Sequence, residues 1–383
     1  MIRIVTIIGA RPQIIKAAAI SRTIRDFFTE TIQEIIVHTG QHYDENMSQV
    51  FIEQLQIPTP HYNLGIGSAS HGIQTARMIE KIENVLLTEK PDFVILYGDT
   101  NSTLAGAVAG AKIHIPVAHV EAGLRSFNKL MPEEINRIVC DHCSTLLFSP
   151  TATGFHNLVR EGFLPDTLPP YHINNPKIYH CGDVMYDNCL YFSDMAERNS
   201  QILQQYGLNP GKFILITIHR DSNTDQPQRL ESIFRSLIRL TENTHLPVVL
   251  PIHPRTSKVL KSKLQLDPYK NLQHQPNILI IPPASFFDMI LLEKNAALIL
   301  TDSGGVQKEA YFFRKYCVTM RDETEWVELV ENGYNILVGS DQKKIVAEAE
   351  RLLAKGALQV SEALYGSGDA GTFIVNQLLS FEA

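Results

Sequence analysis

The stretch Leu298 to Ala310, LILTDSGGVQKEA, constrains the fold more than any other in the chain. An apolar run, Ala297-Leu298-Ile299-Leu300, predicts a buried parallel strand. It stops at Thr301-Asp302-Ser303-Gly304-Gly305, and a helical pattern starts at Val306. A strand running through a glycine turn into a helix N-terminus is a ready anion site. Unbonded N–H groups point out of the turn, and the helix dipole reinforces them. Gly304 and Gly305 lack the Cβ that would hold a phosphate off the backbone, and Ser303 offers a hydroxyl. Glu309, about one and a half turns into the helix, can accept from a ribose diol. An ordinary βα turn, with Ser303 capping the helix and Glu309 in solvent, fits the same spacing. The pattern is neither GxGxxG nor a P-loop, which would continue Gly-Lys-Ser/Thr. The expected ligand is a nucleotide diphosphate.

The same unit recurs along the chain. Ile2 to Ile8 is a β-branched strand ending at Gly9-Ala10-Arg11-Pro12, followed by a helix over roughly 14–28 with Lys16 in its first turn. Glu34 to Val37 ends in His38-Thr39-Gly40-Gln41-His42. Helices are expected over 44–56 and 71–89, around an irregular segment at 58–72. Phe93 to Tyr97 runs into Gly98-Asp99 and an alanine-rich helix, and Pro116 to Val120 ends at Glu121. Pro132-Glu133-Glu134 then opens another helix that contains Arg137. Residues 165–176, with four prolines, read as a linker. A second series is expected beyond it: Lys177 to Cys181, Phe213 to Ile218 ending at His219, Pro247 to Ile252 ending at His253, Ile278 to Ile281, the opening strand, and Tyr316 to Met320. Repeated βα units predict an α/β protein with two Rossmann-like, doubly wound domains facing across a cleft, the GT-B type. The expected N-terminal domain spans 1–170, with a C-terminal helix at about 367–383 packing back on it; a UDP-binding domain spans 171–366.

Length and composition fit that reading. The 383 residues exceed one ordinary domain, and 44% hydrophobic content supplies ample core. A net charge of −7 argues against a nucleic-acid binder, so phosphate must meet a local basic cluster. No apolar run reaches the ~20 residues that span a bilayer. The start, MIRIVTIIGARP, has no signal-peptide layout, and five unpatterned cysteines fit a reducing cytoplasm. Cys140 and Cys143 form a CxxC without a second pair, better read as two thiols than as a zinc site. His38 with His42, and His114 with His119, lack supporting ligands, so no metal is expected.

In open α/β sheets ligands bind beyond the carboxyl ends of the strands. That placement would gather Arg11, Asp99, Glu121, Glu133, His219, Ser303 and Glu309. Three carboxylates and a histidine form an acid/base set; Arg11, His219 and the glycine turn form a phosphate set. Clustered carboxylates also raise one another's pKa values. Singly, each residue has a plainer reading: Asp99 as a helix N-cap, the Glu133-Glu134 pair as first-turn capping, His219 as a loop group.

Long ordered stretches identify the resemblance: GARPQIIKAA (9–18), HTGQH (38–42), YGDTNSTLAGA (97–107), HVEAGLRS (119–126), PEEINR (132–137), IHR (218–220), TDSGGVQKEA (301–310) and MRDETEWVE (320–328). The chain resembles the non-hydrolysing bacterial UDP-N-acetylglucosamine 2-epimerases almost from end to end. The resemblance implies a GT-B fold, no added cofactor or metal, and a homodimer. It implies loss of the C2 proton as UDP leaves C1, then reprotonation of the glucal from the other face and return of UDP. Carried over by motif, Asp99, Glu121 and Glu133 are the acid/base candidates and His219 the phosphate or leaving-group partner. Arg11, Lys16, Gln41, His42, Arg137, His253, Ser303, Gly304, Gly305, Glu309 and Arg321 are the candidate substrate and UDP contacts. The products would feed surface polysaccharide such as lipopolysaccharide O-antigen.

The departures from the family wording are informative. The more usual first turn is GTRPE and the later motif TERPE; here they read Gly9-Ala10-Arg11-Pro12-Gln13 and Thr324-Glu325-Trp326-Val327-Glu328. These variants resemble the branch that epimerises UDP-2,3-diacetamido-2,3-dideoxyglucuronic acid. Residues Gln41 to Asn46 differ from the stretch some members use for a second, regulatory UDP-sugar. A GT-B glycosyltransferase would share the UDP cradle but leave Glu121 and Glu133 without work. A hydrolysing epimerase differs in its first turn, and a UDP-sugar sensor leaves the acid/base set unused.

Overall fold

A computed structural model describes residues 1–40, 56–252, 275–360 and 363–381. The expected helix at 44–56 lies outside the described residues, as do Gln41, His42 and His253. The chain divides into two compact units, Met1–Asn188 with Ala363–Ala383, and Cys189–Glu362.

The first unit is built on a seven-stranded sheet with the order β3-β2-β1-β4-β5-β6-β7. Its strands are β1 (Ile2–Ile8), β2 (Ile32–His38), β3 (Tyr62–Asn63), β4 (Phe93–Tyr97), β5 (Val117–Val120), β6 (Leu146–Ser149) and β7 (Lys177–His180). Every pairing is parallel. Strands covered on both faces need continuous apolar runs, and β4, β5 and β6 are buried throughout. The expectation that Lys177 to Cys181 opens the second series is corrected. β7 pairs with β6, Lys177 opposite Leu146, so the proline-rich segment before it is a loop within one sheet. The two-residue β3 sits in a segment read as irregular, too short to leave a periodic signal.

Small residues seat the helix Asn101–Lys112 close against this sheet. A Cβ on Gly106 would come within 2.5 Å of Leu96 Cδ2, and one on Gly110 within 2.9 Å of Val117 Cγ2. The helix Ala370–Leu379 packs on the helix Arg11–Phe27, where a Cβ on Gly371 would lie 3.2 Å from the Ala19 carbonyl.

The second unit carries a six-stranded, all-parallel sheet in the order β10-β9-β8-β11-β12-β13. Its strands are β8 (Ile214–Thr217), β9 (Val248–Pro251), β10 (Ile278–Ile281), β11 (Leu298–Thr301), β12 (Cys317–Thr319) and β13 (Asn335–Leu337). One core joins Ile214, Ile216, Leu250, Leu298, Leu300 and Val318 of the sheet to Ile233, Phe234 and Leu237 of the helix Pro227–Thr244. In each sheet the strand order reverses once, between β1 and β4 and between β8 and β11. Such a switch point splays neighbouring connections apart and opens a crevice at the strand ends.

Candidate active site

At the β1/β4 switch point the two strand ends are tied together by side chains. Gln13, fully buried, donates to the Tyr97 carbonyl at 3.0 Å and to Thr103 Oγ1 at 2.9 Å, and its Oε1 accepts from Ala10 N at 3.1 Å. A glutamate there could accept but not donate, which gives the Gln13 departure a structural reason. Gly9 is required by contact: a Cβ would lie 2.2 Å from both Ser102 Oγ and Thr39 Oγ1.

Past Tyr97 the chain turns through Gly98 at φ +64, a conformation suited to glycine. A Cβ on Gly98 would fall 2.9 Å from Lys16 Nζ and 3.3 Å from Glu121 Oε2. Lys16 and Glu121 form an ion pair packed over this turn. Glu121 is a non-glycine residue at φ +78, and the strain is held by hydrogen bonds from the N–H groups of Glu121 and Ala122 to the Phe148 carbonyl, each 3.0 Å. Strain of this kind, of order 1–3 kcal/mol, survives where surrounding structure fixes it and concentrates at functional sites.

Asp99 does not cap the helix that follows it. Thr100 does, accepting from Ser102 N at 3.2 Å and Thr103 N at 3.4 Å. Asp99 instead pairs with Arg137, Oδ2 to Nη1 at 2.5 Å, and keeps 34% of its side chain exposed. Desolvation raises its carboxyl pKa; Arg137 and Lys16 oppose that, while Glu121 and Glu133 add to it. Mutual repulsion of carboxylates is therefore a secondary cause. Asn136 donates to the Asp99 carbonyl at 2.9 Å.

The adjacent acids of the helix Pro132–His142 part company. Glu134 is buried and accepts from the N–H groups of Ser126 and Phe127 and from Arg137, all at 2.7–3.0 Å. Burial alone would raise its pKa, but these hydrogen bonds outweigh it and the carboxyl sits below its usual value. Glu134 thus fastens the loop before the helix and Arg137. Glu133 is half-exposed and adds to the field on Asp99.

The β8/β11 switch point has a different construction. Asp302, 0% exposed, accepts from His219 N at 2.8 Å, Arg220 N at 3.2 Å and Asn223 Nδ2 at 3.0 Å. This holds the exposed His219 next to the turn that leads into the helix Gly304–Phe312. Ser303 sits at the N-cap without a capping hydrogen bond from its side chain. Gly304 is required inwardly, since a Cβ would meet Glu325 Oε1 at 2.5 Å. Gly305 is open, its Cβ position 4.0 Å from Ser303 Oγ and 3.9 Å from Glu309 Oε2. Arg321 pairs with Glu325 at 2.9 Å, and Lys308 Nζ lies 4.1 Å above the Trp326 ring. Glu293, 2% exposed, lies against Glu309. Burial raises the Glu293 carboxyl well above its usual value, and the charge of Glu309 and the hydrogen bond with it push the same way.

Arg11, Lys16, Asp99, Glu121, Glu133 and Arg137 therefore belong to the first unit, and His219, Ser303, Gly304, Gly305, Glu309 and Arg321 to the second. Arg11 is exposed at the start of its helix. Sequence reasoning missed Asn136, Asp302, His119, Asp141 and Glu293 as site-building residues. Asn136, Asp302 and His119 lay inside stretches already singled out. Cys140 and Cys143 are free thiols.

Two doubly wound α/β sheets in one chain, each with polar groups at its switch point, define a protein of the GT-B class. A family model described as UDP-N-acetylglucosamine 2-epimerase matches residues 28–379. The chain belongs to that family. It is 49% identical to the UDP-2,3-diacetamido-2,3-dideoxy-D-glucuronate 2-epimerase of Pseudomonas aeruginosa, over 98% of this chain and 99% of that one. It is 48% identical to a UDP-N-acetylglucosamine 2-epimerase homolog of Methanococcus maripaludis, with the same coverage. Among solved structures it is similar to the UDP-GlcNAc 2-epimerase of Methanocaldococcus jannaschii in complex with UDP-GlcNAc and UDP. That match has a TM-score of 0.85 and 41% identity, covering 99% of this chain and all of the other.

Proposed function

We propose that this protein interconverts UDP-GlcNAc-type and UDP-ManNAc-type sugars by eliminating and re-adding UDP without hydrolysis. The observation that carries the reading is the set at the β4 and β5 ends: Asp99, strained Glu121 and Lys16 around Gly98, with Glu133 adding to their field. No carbonyl flanks the C2 hydrogen of such a sugar, so simple enolate formation is closed. Loss of the diphosphate from C1 offers the electron sink instead. One carboxylate takes the C2 proton and another returns a proton to the opposite face. In this reading Ser303, Gly304 and Gly305 hold the diphosphate, His219 and Arg11 stabilise its charge as it leaves, and Glu309 holds the ribose.

The relative from Pseudomonas aeruginosa and the Gln13 and Trp326 variants favour a second sugar, the diacetamido-glucuronate, for the same chemistry. Proton NMR in D2O, with each UDP-sugar in a separate tube, tests both. Deuterium at C2 with the manno epimer still joined to UDP is the expected result, and the faster tube names the sugar. Free sugar with released UDP would replace this reading by hydrolysis. We further infer a cytoplasmic homodimer acting in surface polysaccharide synthesis; a monomeric mass in light scattering would remove the dimer. No helix among the described residues is long and apolar enough to cross a membrane.

A further inference from the structure

Beneath the carboxylates of the first unit lies a buried charged pair that proton transfer does not use. His119 sits in β5, two residues before Glu121, and is 0% exposed. Its Nε2 lies 2.8 Å from the Gly98 carbonyl and its Nδ1 lies 2.7 Å from Asp141 Oδ1. A carbonyl oxygen only accepts, so Nε2 carries a proton; an ionised carboxylate only accepts, so Nδ1 carries one too. Asp141 is kept ionised by Arg125, whose Nη1 lies 2.7 Å from Oδ2. The same Oδ2 accepts from Gly123 N at 3.1 Å. Arg125 is in turn held by Glu161, Nη2 to Oε2 at 2.6 Å. The chain of charges His119, Asp141, Arg125 and Glu161 alternates in sign and sums to zero. Burial works against the charged ring, Cys140 and Asp141 work for it, and the balance lies well above the usual imidazole value.

This pair touches every segment that presents a candidate acid/base carboxylate. Gly98 precedes Asp99, His119 and Gly123 flank Glu121 by two residues on either side, and Asp141 stands on the helix Pro132–His142 that carries Glu133 in its first turn. We infer that His119 and Asp141 form a positioning pair that clamps the Asp99 turn, the Glu121 strand end and the Glu133 helix in one register. The inference rests on the epimerase reading. Breaking the His119–Gly98 link releases the Asp99 turn while leaving the second unit, with the Ser303–Gly305 turn and Glu309, untouched.

Two substitutions separate the halves of the clamp. The amide nitrogen of His119→Gln reaches the Nε2 position and keeps the bond to Gly98, whereas that of His119→Asn reaches the Nδ1 position and keeps the bond to Asp141. Steady-state kinetics with UDP-GlcNAc should show kcat falling about 10²-fold in His119→Asn, since a misplacement near 1 Å costs about that much, with KM unchanged. His119→Gln should stay within about tenfold of wild type. Thermal stability should run the other way, His119→Asn melting above His119→Gln, because it keeps a donor on the buried Asp141. If kcat simply follows stability, or both variants lose equally, the clamp is overturned. Failure of the wild-type enzyme to exchange C2 protons would instead sink the epimerase reading. Carboxyl 13C titration of Asp99 without substrate still decides the clamp in that case. A displaced titration in His119→Asn but not in His119→Gln supports it, and equal displacement overturns it. Should neither variant fold, Asp141→Asn sets an amide against Arg125 and Gly123 N–H; unchanged kcat there overturns the clamp, and a fall with constant KM supports it.

Discussion

The two switch points share a topology and differ in what fills it. At β1/β4 the polar groups are side chains: Lys16 on Glu121, Arg137 on Asp99 and on Glu134, with His119 and Asp141 buried below. At β8/β11 the main acidic residue, Asp302, is turned inward onto backbone N–H groups and the Asn223 amide, and the turn beside the exposed His219 presents Ser303, the open Gly305 and the start of a helix. Ionisable side chains whose pKa values are pushed up or down by burial and neighbours suit proton transfer. Backbone N–H groups in a fixed turn cannot titrate, so they suit holding an anion whose charge does not change on binding. The contrast teaches that one sheet topology yields either kind of site, according to which side chains stand at the strand ends.

The comparison breaks most sharply at Glu121. Glu121→Gln should lower kcat by about 10²–10⁴-fold, the range for a positioned acid or base, while calorimetric UDP affinity stays within about twofold. Equal loss of UDP affinity would place Glu121 in binding. Next in size is Asp302→Ala, which strands the backbone donors of His219 and Arg220 and takes one of the two acceptors of the Asn223 amide. Each unsatisfied buried group costs about 1–3 kcal/mol, so the melting temperature and UDP affinity should both fall, the latter more than about tenfold. Gly305→Ala should be milder, because the Cβ site meets only contacts of 3.9 Å and beyond. Its melting temperature should hold while UDP affinity falls about tenfold as the methyl lifts the diphosphate off the backbone. Unchanged affinity would remove this turn from the diphosphate site.

The smallest effect sharpens the first site. The Arg137 guanidinium lowers the Asp99 carboxyl against the desolvation that raises it. Arg137→Gln removes the lowering influence, so Asp99 should hold its proton to higher pH. The acid limb of the kcat/KM profile should then move to higher pH. A limb that stays put or moves down would take Asp99 out of proton transfer.

Much of this was legible in the chain. Parallel strands buried on both faces must be unbroken apolar runs, so β1, β4, β8 and β11 and the polar residues after them stand out. Sheet membership was not legible: β7 reads like any other short strand, and only its partner Leu146 shows which sheet it closes. Short β3 and β13, of two and three residues, carry no periodicity. Asp99 looked like a cap because a cap and a candidate acid/base residue occupy the same place in a βα turn; Thr100 takes the capping role only in three dimensions. The positive φ of Glu121 leaves no mark on sequence, since a glutamate is an unfavourable choice there. His119 and Asp141 stand 22 residues apart on different elements, a pairing set by packing alone.

The central claim is that proton transfer belongs to the first switch point and UDP retention to the second. The most direct measurement is proton NMR in D2O on UDP-GlcNAc with wild type, Glu121→Gln and Gly305→Ala at saturating substrate. Wild type and Gly305→Ala should place deuterium at C2 with the sugar still joined to UDP, while Glu121→Gln binds UDP and leaves C2 unlabelled. Labelling by Glu121→Gln at the wild-type rate, or free sugar in the wild-type tube, would contradict it.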